Sequence, residues 1–175
     1  MEILAVTGSV VVLAGIAIQD FRHRAFVWWL LPLLLAALLV LSLQQVTFQE
    51  LWPSLLINFG FIGIQLLLLF IWFSLRERKL IRLIDTHIGL GDILLLACLA
   101  AAFSPINFIL FVSGGLIFSL IIVLIYRSIN RNTSPLIPLA ALLAVPMALC
   151  IAAVPLFDIN LHNDSWMLSF AEPAY

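Results

Sequence analysis

The sequence contains little charge: only 10% of its 175 residues are Asp, Glu, Lys or Arg. In soluble domains such residues make up about a quarter, so this composition excludes a soluble globular domain. With 65% hydrophobic residues and a mean hydropathy of +1.23, the chain is predicted to be an integral membrane protein. Its spanning segments should be helices, because a helix satisfies its own backbone polar groups in lipid.

Cysteine is also scarce, which excludes several small-domain architectures. Cys98 and Cys150 both lie in apolar segments and form no C-x-x-C pair. The sequence therefore indicates neither a zinc ribbon nor a disulfide scaffold, and we expect no metal and no other cofactor. The net charge of −1 identifies no partner. We expect the lipid bilayer to be one, and we expect no nucleic acid.

Hydropathy divides the chain into six apolar segments, which predicts an all-α bundle of six transmembrane helices. The fourth segment has only twelve residues, too few to cross a bilayer without help from its flanking residues. We expect residues 1–157 to form this transmembrane domain and residues 158–175 to form a tail. The six segments are residues 3–18, 25–43, 52–75, 92–103, 106–126 and 136–157.

The basic residues give this bundle an orientation. All eight lie in the loops that follow the first, third and fifth segments, so they share one face of the membrane. Because basic loops stay on the cytoplasmic side, the N-terminus and the tail should be extracytoplasmic. These residues are Arg22, Arg24, Arg76, Arg78, Lys79, Arg82, Arg127 and Arg131.

Two acids stand at the predicted cytoplasmic face. Asp20 follows the first segment, and Asp92 opens the fourth segment after Gly89-Leu90-Gly91. A carboxylate at the edge of a spanning segment is costly, which favours a functional role. We interpret Gly89 and Gly91 as a bend that places Asp92 at a helix start, because glycine adopts backbone conformations closed to other residues and permits close approach. Alternatively, Asp92 is only a helix cap and Asp20 is a solvated loop acid.

Two carboxylates at one level on different helices suggest aspartic peptidase chemistry. Like charges a few ångströms apart cannot both ionise cheaply, so one acid holds a proton while the other stays anionic. The anionic acid can activate a water for attack on a peptide carbonyl, and the protonated acid can hydrogen-bond the carbonyl oxygen. This reaction needs no metal.

Three ordered motifs resemble those of the type IV prepilin peptidases, the bacterial branch of the Gly-x-Gly-Asp intramembrane aspartic proteases. Asp20-Phe21-Arg22-His23-Arg24 is similar to the family's first-aspartate motif, and Gly89-Leu90-Gly91-Asp92 is similar to the second. Pro135-Leu136-Ile137-Pro138-Leu139-Ala140 is similar to the Pro-Phe-Gly-Pro stretch that opens the family's last core helix. The resemblance extends to about residue 157.

The resemblance implies a membrane aspartic endopeptidase of the bacterial inner membrane, with Asp20 and Asp92 as its dyad and Gly89 and Gly91 shaping the approach. Its substrates would resemble prepilins or pseudopilins, in which a short basic leader precedes an apolar helix. Larger family members carry an N-terminal domain with paired C-x-x-C motifs, linked to N-methylation of the cleaved product. Because this sequence contains no C-x-x-C pair, we expect peptidase activity without methyltransfer.

Two other functions stay open at this point. Paired membrane acids also serve six-span transporters and proton relays, which would need polar residues along a path through the bilayer. Asn58, Gln65 and Asn107 offer little such polarity. The chain also has Phe26-Val27-Trp28 where the family usually has Ile-Pro-Asn, and Leu94 where it often has Lys. These departures leave open an inactive relative that acts as an assembly scaffold.

Overall fold

A computed structural model of the chain describes residues 2–80, 88–129 and 138–167, and these residues form six helices. The predicted all-α fold is confirmed for this part of the chain. In chain order the helices are α1 (Glu2–His23), α2 (Leu30–Gln45), α3 (Phe48–Glu77), α4 (Leu90–Leu99), α5 (Pro105–Ile129) and α6 (Leu139–Phe157).

Four of these helices, α1, α3, α5 and α6, are long and apolar enough to cross a bilayer. This finding supports a multi-pass membrane protein. The other two helices are apolar but shorter, because α2 has 16 residues and α4 has 10. A span needs about 20 apolar residues, so helix lengths alone do not establish the predicted count of six spans.

Several helix ends differ from the predicted segments. α1 continues to His23, five residues beyond the predicted end at Ile18. α2 begins only at Leu30, because Arg24 adopts left-handed backbone geometry with φ of 53° and turns the chain away from α1. Helix α3 exceeds the predicted segment 52–75 at both ends.

The early start of α3 has a sequence signal that hydropathy overlooks. Thr47 and Glu50 form a capping box, in which the side chain of each residue accepts a hydrogen bond from the backbone N–H of the other. The Glu50 Oε2 atom accepts a hydrogen bond of 3.0 Å from the Thr47 N–H. A threonine followed three residues later by glutamate is the known signature of such a helix start.

Helix α1 packs most extensively against α6 and also against α2. Its buried side chains recur every three or four residues, as expected for one face of a helix. The face is apolar except for a serine and, at its end, an aspartate. These residues are Ala5, Val6, Ser9, Val12, Leu13, Ile16, Ala17 and Asp20.

The end of α4 is buried within the bundle. Residues 100–104 are non-helical and buried, so the carbonyl oxygens that follow α4 cannot be left to water. Side chains from two neighbouring helices satisfy two of them. Asn58 Nδ2 donates to the Ala100 carbonyl oxygen at 2.9 Å, and Ser42 Oγ donates to that of Ala101 at 2.6 Å.

Residues 158–167, predicted to be part of a tail, lie against the ends of α2 and α5. Leu161 is buried, and its N–H donates to Gln45 Oε1 at 3.0 Å. Its carbonyl oxygen accepts a hydrogen bond of 2.9 Å from Asn107 Nδ2. Trp166 Nε1 donates to the same asparagine at 3.0 Å. This segment therefore closes the bundle at the end where α2 and α6 stop.

His162 lies in this closing segment and is largely withdrawn from water. Its Nε2 atom is buried and has no hydrogen-bond partner among the described residues. Burial lowers the pKa of His162 from its usual 6.5 to about 4, and the nearby Asp164 carboxylate opposes this effect. At pH 5 the imidazole is therefore neutral in the folded chain and protonated in the unfolded chain.

Acidification should destabilise the chain through His162. As the pH falls from 6.5 towards 4, the unfolded chain binds a proton that the folded chain does not. The free energy of unfolding should therefore decrease, by about 1–2 kcal/mol at pH 5. His162→Gln, which cannot titrate, should reduce the loss of thermal stability between pH 7 and pH 5, measured in detergent. The exposed His23→Gln is the matched control, and equal losses in all three proteins would contradict this assignment.

Candidate active site

Asp20 lies near the end of α1 with only 6% of its surface exposed. Its Oδ2 atom accepts a hydrogen bond of 2.8 Å from the backbone N–H of Ala141, in the first turn of α6. A solvated loop acid, one of the alternatives for this residue, is therefore excluded. The carboxylate is held at the packed boundary between the first and last helices.

Asp92 lies in the first turn of α4, after the N-cap residue Gly89. Its own N–H donates to the Gly89 carbonyl oxygen at 3.1 Å. The backbone N–H groups of Gly89 and Ala140 interact with its carboxylate. Asp92 thus serves its own helix start, as the simpler alternative requires, but it also reaches across to α6. A helix cap alone does not explain that second contact.

The first turn of α6 brings the two acids together. The Leu142 N–H donates to the carbonyl oxygen of the N-cap residue Pro138 at 3.1 Å, which begins the hydrogen-bond ladder of the helix. The N–H groups that precede it need acceptors from outside the helix. The Ala140 N–H donates to the Asp92 carboxylate, and the Ala141 N–H donates to the Asp20 carboxylate. Consecutive backbone groups therefore hold two carboxylates from different helices.

The two carboxylates interact electrostatically, since the charge of Asp20 acts on Asp92. They also share one cavity of about 740 Å³. Apart from the two acids and Arg24, its walls are mainly apolar, and five of the six helices or their flanking loops contribute to it. The lining includes Asp20, Arg24, Phe26, Trp28, Leu31, Gly89, Gly91, Asp92, Leu94, Leu116, Ser119, Leu120 and Leu139.

Gly89 and Gly91 shape this site by close approach and not by unusual backbone geometry. The described glycines all have negative φ, so our expectation that these two adopt conformations closed to other residues is wrong. A Cβ on Gly89 would lie 3.2 Å from Asp92 Oδ2. A Cβ on Gly91 would lie 3.1 Å from Phe26 Cζ. Any side chain at either position would therefore press on the acid or on its neighbouring ring.

Sequence reasoning missed three contributors to the site. The N–H groups of Ala140 and Ala141 leave no side-chain signal, although the proline before them indicates a helix start. Phe26 was noted only as a departure from a family motif. Ser119 is a buried serine in the apolar α5, and only its polarity distinguishes it. Within the third family motif, residues 135–137 lie outside the described residues.

The described residues contain no group of three or more His, Cys, Asp or Glu side chains that could hold a metal ion.

Comparison with known proteins adds no relative: the chain matches no family model, no curated protein and no solved structure.

Replacing Asp20 should separate its structural from its chemical contribution. Asp20→Ala removes the acceptor of a buried N–H, which costs about 1–3 kcal/mol and should lower the melting temperature in detergent. Asp20→Asn keeps an oxygen acceptor for the Ala141 N–H and should melt close to wild type. Equal melting temperatures for the Ala and Asn variants would contradict the hydrogen bond to α6.

Proposed function

We propose that the chain is a membrane aspartic endopeptidase in which Asp20 and Asp92 form the catalytic dyad. One observation carries the proposal: two carboxylates from different helices converge on consecutive N–H groups of a third helix, inside an otherwise apolar bundle. Burying two like charges side by side is costly. A single carboxylate would cap a helix start at lower cost, so capping alone does not account for the pair.

The proposed reaction uses the pair as one acid and one base. The anionic carboxylate removes a proton from a bound water while the water oxygen attacks the carbonyl carbon of the substrate peptide. The protonated carboxyl donates a hydrogen bond to the carbonyl oxygen as it gains negative charge. The proton taken from water then passes to the amide nitrogen, the C–N bond breaks, and an amine and a carboxylic acid leave. The two carboxyl groups end with one shared proton, as they began.

The surroundings of the pair suit this reaction. The apolar walls of the cavity can accept side chains of a hydrophobic peptide segment, and about 740 Å³ is within the range of ligand pockets. The N–H donors of α6 fix both carboxylates, which reduces the reorganisation needed during proton transfer. The motifs around the two acids support prepilin- or pseudopilin-like substrates, cut between the basic leader and the apolar helix.

We further propose six spans in a bacterial inner membrane, with the site at the cytoplasmic face and the N-terminus outside. The loops after α1 and α3 carry exposed bases, including Arg24 and Lys79, and this supports a cytoplasmic location. The short α4 continues into the buried residues 100–104, where side chains donate to the carbonyl oxygens of Ala100, Ala101 and Phe103. Irregular backbone at membrane depth is tolerated only when protein buries it in this way.

The transporter and scaffold alternatives make different demands. A proton relay needs a chain of polar groups across the bundle. Asn58 and Ser42 instead bond the end of α4, so they support its backbone and do not extend a path from the acids. A scaffold requires no dyad at all, and for it the convergence of two acids on α6 would be incidental.

Cleavage of a prepilin-like substrate should depend on both acids as a unit. Purified wild-type protein should cut the substrate, and Asp20→Asn and Asp92→Asn should each nearly abolish cutting. The double variant should be little worse than either single variant, because removal of one acid already disables the pair. Cleavage is measured by the shift of the substrate on a gel.

Asp164→Asn is the matched control at a carboxylate far along the chain, and it should cleave at the wild-type rate. Wild-type cleavage that persists in both Asn variants would sink the aspartic-peptidase proposal. No cleavage by wild type, with normal assembly supported by the Asn variants, would instead favour the scaffold.

The six-span proposal predicts which exposed positions react with a membrane-impermeant thiol reagent. In a Cys98→Ala, Cys150→Ala background, His23→Cys and Lys79→Cys should be protected in intact cells. Gln49→Cys and Ser165→Cys should react from outside. All four positions are exposed. Labelling of Lys79→Cys and Ser165→Cys from the same side would show that α4 does not cross.

A further inference from the structure

Residues 24–29, here called the strap, join α1 to α2 and pass beside the two acids. The strap is fixed at several points along its length. The Arg24 N–H donates to the Asp20 carbonyl oxygen at 2.8 Å, as the backbone turns through its left-handed conformation. The Val27 N–H donates to Gln19 Oε1 at 2.9 Å, which ties the strap back to α1. Its side chains are therefore presented from a defined backbone.

Phe26 is the strap residue that meets the second acid's helix. It is partly buried and packs against the hydrophobic core. A Cβ built on Gly91 would lie 3.1 Å from Phe26 Cζ and 3.2 Å from Cε1. These distances are tighter than ordinary van der Waals contact, so a side chain at position 91 would require the ring to shift, and the ring sits directly against the α4 backbone. The residue after that contact is Asp92.

We propose that Phe26 is a positioning residue for the dyad: its ring seats against Gly91 and sets how closely Asp92 approaches Asp20. α4 has ten residues and its first turn carries the acid, so a shift of that turn moves the carboxylate directly. Displacement by about 1 Å can cost a hundredfold in rate. In its effect on catalysis this inference rests on the proposed peptidase function.

A competing role for Phe26 is simple contact with substrate, because its side chain also lines the cavity. The two roles separate in kinetics. A substrate-contact residue should affect KM when it is removed, whereas a positioning residue should lower kcat. The two roles also differ in coupling. Only a positioning role predicts that the effect of replacing Phe26 depends on the residue at position 91.

The first experiment is a second-site rescue of cleavage. Gly91→Ala should reduce kcat by about tenfold or more, because its Cβ forces the ring and the first turn of α4 apart. Adding Phe26→Ala should restore kcat to within about threefold of wild type, because coupled contacts are not additive. Phe26→Ala alone should lower kcat with little change in KM, so the double variant should be more active than either single variant.

Gly89→Ala is the matched control, because its Cβ would meet the Asp92 carboxylate and not the ring. It should also lower kcat, but Phe26→Ala should not rescue it. Phe26→Leu is made in parallel, and each variant's membrane level and melting temperature are measured, so that a folding defect is recognised. In each of these backgrounds Phe26→Leu should have an effect smaller than that of Phe26→Ala.

The second experiment measures the separation of the acids without requiring activity. Asp20→Cys and Asp92→Cys are combined in a Cys98→Ala, Cys150→Ala background and treated with short bifunctional thiol reagents. With Phe26 intact the pair should cross-link. With Phe26→Ala the rate should fall by about threefold or more, because the link requires a defined separation.

The outcomes are distinguishable. The inference is supported if Phe26→Ala restores the activity of Gly91→Ala but not that of Gly89→Ala, and if Phe26→Ala also slows cross-linking. Equal rescue of Gly89→Ala, a change confined to KM, or a cross-linking rate insensitive to Phe26 would overturn it. If wild type cleaves nothing while cross-linking still depends on Phe26, the peptidase proposal fails and the positioning of the two acids stands.

Discussion

Every polar backbone group inside this apolar bundle must find a partner within the protein, and that requirement decides where the polar side chains lie. Along a helix the backbone groups bond one another, but the groups at its two ends need other partners. Asp20 and Asp92 satisfy backbone groups at the start of α6, and Ser42 and Asn58 satisfy those just after α4. Gln45 and Asn107 do so at the far end of the bundle. These polar side chains thus lie against helix ends, whereas the buried Ser9 and Ser119 lie within helices.

The two acids stand apart from this pattern because they carry charge. Amide and hydroxyl side chains satisfy the backbone groups after α4 and at the far end of the bundle, and a neutral acceptor such as Asn would satisfy the start of α6 equally well. Two neighbouring carboxylates add mutual repulsion and desolvation, which a capping role does not need. The chain therefore accepts a cost at this one junction, and we attribute that cost to the proposed peptide hydrolysis. The cavity beside the acids lies where such a substrate would have to bind.

Composition and hydropathy predicted the membrane class and the helical fold, and the distribution of basic residues predicted that Asp20 and Asp92 lie at one level of the membrane. They failed where tertiary contacts override local preference. The first helix runs on through Asp20 because that carboxylate is buried against Ala141 and not solvated in a turn. The tight contact at Gly91 comes from a ring more than sixty residues earlier in the chain, which no local pattern reveals. The start of α3 was predictable, since Thr47 and Glu50 have the residue types and spacing of a capping box.

The extensive contact between α1 and α6 has a consequence for synthesis. Synthesis of the last helix begins only after the 115 residues that follow α1, an interval of roughly 6 to 23 s at typical ribosome speeds. During that time the face of α1 that α6 will cover, Asp20 included, must wait beside lipid. Because Asp20 lies in the last turns of its helix, the waiting carboxylate can reach the hydrated headgroup layer. An acid two turns deeper in the helix could not reach the headgroup layer while the rest of the chain was being synthesised.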